Sequence, residues 1–385
     1  MKLLFCERNM LMQRDMEEAL HRMNIFFRCA SYVFSNPDSD DYYCSHLKHF
    51  LKEDSYDAVF SFNFIPVIAD VCHEMELPYL VWTYDAGWEC GRTDAFFYPT
   101  NHIFHFDKTA CTDYRSRGYH NIFHLPLAVN CHRLDARSDT PAQAAASRSD
   151  VAFVGNLYEN YDMDTYPLLR ELPSDLSIPL KEFLLKQIPQ YTNHHLWELL
   201  TDAYTAELLS SRQEGFLFNR TGLIAACAGM ISYEQRKYLL NLISGEFPLT
   251  LYSYSNPELV PNAQYAYRAY YYEQMPRIFK YAAVNLNFTL PSIQTGMPLR
   301  MLDVLGAGGF LITNEQEELY DHFQVGRDLE IFRSSEELMD KIRFYRKHRD
   351  EAARIAENGH AVVRQDFSFE KQFAKILEQS GLHLL

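Results

Sequence analysis

An arginine and an aspartate three residues apart, Arg300 and Asp303, stand in the otherwise apolar stretch QTGMPLRMLDVLGAGGFLITNE, Gln294 to Glu315. At about 100° of turn per residue they share one helix face, while Met301, Leu302 and Leu305 form the opposite one. Pro298 suits the first helical position, where its missing N–H has no intrahelical bond to lose. Gly306, Gly308 and Gly309 then stop the helix and feed a strand, FLIT. Arg300 therefore falls in the first turn, where exposed backbone N–H groups and the positive end of the dipole favour an anion over a cation. A bound phosphate would resolve that conflict. Asp303, one turn deeper, suits hydrogen bonds from a ribose diol, and Gly296 lets a backbone approach a ligand closely. The competing account is an i,i+3 ion pair that satisfies itself.

A group transfer also needs a base. Asp85, at the end of LVWTYDAG, is the first choice and Glu7, at the end of the first apolar run, the second, because both sit where a strand's carboxyl end leads out of a sheet. The same acids could simply cap a helix or turn. Metal chemistry finds no support: His73-Glu74 in HEMEL lacks the second His that a helix-borne zinc site needs, and His194 and His195, being adjacent, face different directions. The tyrosines of YAYRAYYYEQMP read as edge or loop packing before sugar stacking, and KIRFYRKHRDEAAR as the solvated face of an outer helix.

These residues need elements to position them. In the first third, KLLFCE, NIFFRCASYVF, YDAVFSFN, PYLVWTYDA, HIFHFD and NIFHLPLAV are strand candidates separated by helical patterns, which predicts a mostly parallel sheet covered by helices. Residues 135–150 are polar, Ala-rich and Ser-rich and read as a connector, so a first Rossmann-like, acceptor-side domain is expected over residues 1–140. A second, over 148–366, opens with VAFVGNLY and carries a helical insertion at about 160–245, with a capping box at Ser232 and Gln235 before RKYLLNLI. Alternation then resumes with PLTLYSY, MPRIFKYA, VNLNFT, the Arg300 segment, LEIF and a helix opened by Ser334 and Glu337. Residues 367–385 form an amphipathic helix expected to pack back on the first domain. Two doubly wound halves leave a cleft, and ligands of open α/β sheets bind outside the carboxyl ends of the strands.

Bulk composition removes other classes. The formal net charge of -15 argues against a nucleic-acid partner. The 8 cysteines are scattered without a Cys-x-x-Cys pair and read as reduced thiols of a cytoplasmic protein. MKLLFCERN is too short an apolar run for a signal peptide, and no run approaches a membrane span.

SDVAFVGNLY, ISYEQRKYLLNLI, MPRIFKYAAVNLNFT and GMPLRMLDVLGAGGFLIT, in this order and spacing, resemble the CgeB-like (spore maturation protein) glycosyltransferases of bacteria, with YDAVFSFN, LVWTYDA and FDK added by the first half. The resemblance runs from about Met1 to about Phe373. It implies an α/β, GT-B fold of two Rossmann-like domains facing across a cleft. A nucleotide-sugar donor, UDP-sugar above all, would be held by the second domain with no cofactor or metal, and the acceptor would be a protein or glycan. It places the donor on the Gly155–Asn156 loop, which would give backbone N–H groups to the diphosphate, with Arg300 neutralising it, Asp303 on the ribose and Asn287 at a strand end beside them. A pair of carboxylates in an E-x7-E pattern is common in retaining GT-B enzymes. With Asp303 as the second, the first position holds Thr295, so the resemblance leaves the stereochemistry undetermined. The alternatives on the same fold are a nucleotide-sugar epimerase or hydrolase, and a non-catalytic nucleotide-sugar or glycan-binding module.

Overall fold

The computed structural model describes residues 1–6, 11–31, 33–86, 92–192, 194–210 and 219–382. The chain forms two compact units, one made of Met1–Asn130, Thr295–Leu299 and Asp366–Leu385, the other of Cys131–Gln294 and Arg300–Gln365. Each is built on a six-stranded sheet whose strand pairs are all parallel.

In the first unit the strands are β1 (Lys2–Cys6), β2 (Phe26–Ala30), β3 (Ala58–Phe62), β4 (Tyr79–Thr83), β5 (Asn101–His105) and β6 (Ile122–His124), in the order β2-β1-β3-β4-β5-β6. Every residue of β3 and β4 is buried, as expected of strands covered on both faces, whereas edge strand β2 is partly exposed. Helices Gln13–Arg22, Asp41–Glu53, Pro66–Glu74 and Lys108–Ser116 make crossovers. Asp40 and Asp107 cap two of them by accepting from Tyr43 N–H and Ala110 N–H. Helix Phe369–Gln379 also belongs to this unit: Phe373 meets Phe60 at 5.4 Å and Phe369 meets Trp82 at 5.7 Å between ring centres. Burying each such phenyl ring contributes about 1.5–3 kcal/mol.

The second unit holds β7 (Ser149–Val154), β8 (Leu249–Tyr252), β9 (Gln264–Ala266), β10 (Ala282–Asn287), β11 (Leu311–Asn314) and β12 (Glu330–Phe332), in the order β12-β11-β10-β7-β8-β9. Between β7 and β8 lies the helical insertion, whose core gathers Leu168, Leu180, Leu184, Leu196, Leu223 and Ile231. Its main element is the 27-residue helix Arg220–Glu246. Ser232 and Gln235 do not start this helix. It begins twelve residues earlier, where Asn219 accepts from Gly222 N–H, and Gln235 is buried mid-helix with its amide on the carbonyls of Ile188 and Gln190 at 2.9 and 2.7 Å. The Ser-x-x-Gln spacing also describes neighbours on one helix face, and burial decided between the readings. At Ser334 a cap does form, with Glu337 N–H donating to its hydroxyl, although the Glu337 carboxylate accepts from Arg333 N–H. The polar 135–150 segment contains the short helix Pro141–Ala146, opened by a Thr140–Gln143 capping box, and the units divide before it, between Asn130 and Cys131. No helix among the described residues is long and apolar enough to cross a membrane.

Candidate functional site

At the carboxyl ends of β7 and β8, inside the second unit, lies a cavity of about 140 Å³ whose walls include Gly155, Asn156, Ser253, Tyr254, Arg268 and Arg300. This is where an open parallel sheet places its ligands. Three residues singled out in the sequence, Gly155, Asn156 and Arg300, thus meet although they lie some 145 positions apart.

Arg300 is the second residue of the helix Leu299–Gly306. Its Nη1 donates to Asp303 Oδ2 at 3.0 Å and to Met275 Sδ at 3.1 Å, and its guanidinium carbon sits 5.4 Å from the Phe279 ring centre. The ion pair of the competing account is therefore present. It engages one nitrogen only, and the side chain remains 26% exposed on the cavity wall against 8% for Asp303. Asp303 stands behind it, its Oδ1 taken by the Tyr271 hydroxyl at 2.9 Å, so both carboxylate oxygens are engaged inside the protein. A ribose would have to compete for them.

The glycine loop differs from expectation in how it uses its amides. Gly155 N–H continues the sheet by donating to Tyr252 O at 3.1 Å, Leu157 N–H donates to Ser255 Oγ at 3.0 Å, and Tyr158 N–H donates to Asn156 Oδ1 at 2.6 Å. Among the described residues only the Asn156 N–H of this loop has no partner. Tyr158 takes the left-handed conformation, φ 64°, that closes the turn. Arg268 lies exposed at the rim, with Nη1 on the Tyr254 hydroxyl at 2.6 Å and no ion pair among the described residues.

The other residues fall elsewhere. Asn287 is buried at the end of β10, donating to Thr289 Oγ1 and Thr313 Oγ1 at 3.0 and 2.9 Å, and does not line the cavity. Gly296 is grouped with the first unit: its N–H reaches Asp107 Oδ2 at 3.3 Å, and a Cβ there would come within 3.0 Å of Asp107 Cα and Phe106 O. The close approach it permits is to that turn. Asp85 stands exposed just beyond β4, with Oδ2 held at 2.7 Å by the amide of Asn63, itself left-handed at φ 58°. Glu7 lies outside the described residues.

Residues 235–378 match the family model described as glycosyl transferase-like, a stretch running from the second half of helix Arg220–Glu246 into helix Phe369–Gln379. No curated protein matches the sequence. Solved structures align over nearly all of both chains: a glycosyltransferase from Rickettsia africae ESF-5 at TM-score 0.58 and 10% identity, covering 98% of this chain and 97% of that one. HepE of Anabaena, in complex with UDP-glucose, aligns at TM-score 0.58 and 10% identity over 99% of each. Sucrose-phosphate synthase from Thermosynechococcus elongatus aligns at 0.57 and 9% over 98% of each. The fold is GT-B. The family match marks the chain as an enzyme of the glycosyltransferase kind.

In this GT-B chain the sequence reading missed two residues that line the cavity and one that stands behind it. Arg268 belongs to the tyrosine-rich YAYRAYYYEQMP, read as packing, and Tyr254 ends PLTLYSY, read only as a strand. Arg236 is buried behind the glycine loop, on the apolar side of helix Arg220–Glu246. Its signal was available: an arginine placed in register with Leu239, Leu240 and Ile243, where a helix interior asks for an apolar side chain.

Proposed function

We propose that the chain is a glycosyltransferase, akin to the CgeB-like enzymes, that takes a UDP-sugar or related nucleotide-diphosphate sugar in the cavity at the ends of β7 and β8. The sugar would pass to a protein or glycan acceptor without a divalent ion. The observation that carries this reading is the cavity wall itself: Arg300 with two guanidinium nitrogens unbonded among the described residues, Arg268 without a carboxylate, and the open Asn156 N–H beside them. In a chain of net charge -15 that local excess of donors fits a small anion. The Anabaena relative in fold was solved with UDP-glucose, which supports the nucleotide class.

Transfer requires stabilising a departing nucleoside diphosphate. Preorganised arginines aimed at that charge do so without reorganisation during the step, and two of them can supply the positive charge that a divalent ion would otherwise bring. The acceptor proton needs a base, and Asp85 is our candidate: the Asn63 amide fixes one carboxylate oxygen and no described hydrogen bond engages the other. Titration calorimetry of the protein with UDP, with and without EDTA, tests the reading. Binding that survives EDTA is expected; loss of binding in chelator overturns the metal-free part, and failure to bind UDP, GDP or ADP overturns the donor site.

A further inference from the structure

The Gly155–Asn156 loop offers one open amide, which is little for two phosphates, and behind it stands a cation that nothing so far has used. Arg236 is 8% exposed. Its Nη1 donates to Asn156 O and its Nη2 to Phe288 O, each at 2.5 Å, so one side chain ties the loop after β7 to the loop after β10. The guanidinium carbon lies 4.8 Å from the Tyr158 ring centre and 5.5 Å from that of Phe153. A Cβ at position 155 would meet the Phe153 ring at 3.1 Å and Nη1 at 3.7 Å, so ring and charge both stand beside the glycine. Nε is buried without a hydrogen-bond partner, and no carboxylate pairs with Arg236 among the described residues.

Burying a guanidinium among carbonyls, aromatic rings and the phenol of Tyr158, with no carboxylate, is costly, and a purely structural clamp would be better served by a neutral amide. Burial lowers its pKa from the ordinary guanidinium value, yet arginine keeps its proton under any working condition. A permanent charge without a counter-charge is a feature that awaits one. We infer that Arg236 is a positioning residue for the diphosphate of the donor, a buried positive charge that holds the Gly155–Asn156 loop by its carbonyl and acts on the phosphates through that loop. The inference rests on the reading of the cavity as a nucleoside-diphosphate site. Glycine at 155 keeps the intervening layer one backbone thick, and the low local polarity behind it leaves the field poorly screened.

The test is the affinity for UDP relative to uridine, measured with UMP as an intermediate by calorimetry or NMR titration, in wild type, Arg236→Met and Arg236→Lys. Phosphate discrimination should fall on the order of tenfold or more in Arg236→Met while uridine affinity stays within about twofold, and Arg236→Lys should retain much of it because the charge survives. A merely structural clamp predicts the opposite pattern, a lower melting temperature with UDP and uridine weakened alike, and that result overturns the inference. Should Arg236→Met fail to fold, Arg236→Lys decides: retained discrimination supports the charge role and uniform weakening removes it. Wild type that binds neither UDP nor any other nucleoside diphosphate overturns the site reading itself, an outcome distinct from failure of Arg236 alone.

Discussion

Arg300 has two partners competing for its charge, Asp303 inside the protein and the cavity outside it. Arg300→Ala should remove charge-assisted hydrogen bonds worth roughly 1.5 to 3 kcal/mol, on the order of 10-fold to 150-fold in UDP affinity. The helix should tolerate the loss, because a cation in a first turn opposes the dipole, and Asp303 keeps its bond from Tyr271. Arg349, whose ion pair to Asp150 at 3.2 Å is on the outer surface, serves as the control and should alter neither binding nor melting by much. UDP affinity unchanged in folded Arg300→Ala would mean that the pair with Asp303 is all the residue is for. Asp85→Asn, a near-isosteric change, tests the proposed base. Turnover should drop about 100-fold to 10,000-fold while UDP binding holds, and equal loss of both would assign Asp85 to the donor or to the fold.

At the scale of elements, helix Arg220–Glu246 offers a paired experiment. A Cβ at Gly229 would lie 2.6 Å from the Tyr161 ring, whereas at Gly245 it would meet nothing within 4 Å. Gly229→Ala should therefore destabilise by about 1–3 kcal/mol through overpacking, and Gly245→Ala should stabilise by up to roughly 1 kcal/mol through helix propensity; denaturant melts of both variants measure it. Strands such as YLVWT and AVFSF were legible because a strand buried on both faces writes itself as a continuous apolar run. Edge strand β9 was not, since three residues, none of them buried, carry no period. Nor was the partner of Asp107: besides capping helix Lys108–Ser116 it takes Thr295 N–H at 3.1 Å, a contact 188 positions away that local pattern does not encode. The Arg300 helix was legible because opposite charges in an apolar run are a conflict readable without coordinates. Arg236 escaped because a run read as an amphipathic helix start drew attention to its polar residues as caps, not as buried groups.

At the scale of the whole molecule, acid should act through histidines held neutral in both units. Burial lowers the pKa of His102 on β5 of the first unit, and that of His194 in the insertion of the second to about 4, with its Nδ1 buried and unpartnered. A histidine whose folded pKa lies below its unfolded value of about 6.5 leaves the unfolded chain binding more protons across that interval. Its contribution to stability is therefore complete above about pH 6.5 and is lost as the pH falls toward the folded value. For His194 the loss by pH 5 should be on the order of 2 kcal/mol, from 1.36 kcal/mol per unit. Over the same interval the net charge shrinks toward the isoelectric point near 5.4, so unfolded chains meet less mutual repulsion. Melting curves at constant ionic strength should show the midpoint dropping by several degrees between pH 7 and pH 5 in wild type. His194→Gln, which removes the titrating group, should follow a shallower course over that interval, whatever its stability at pH 7. Parallel curves for the two proteins would show that His194 accepts its proton as readily folded as unfolded, and the acid sensitivity would then belong to other groups.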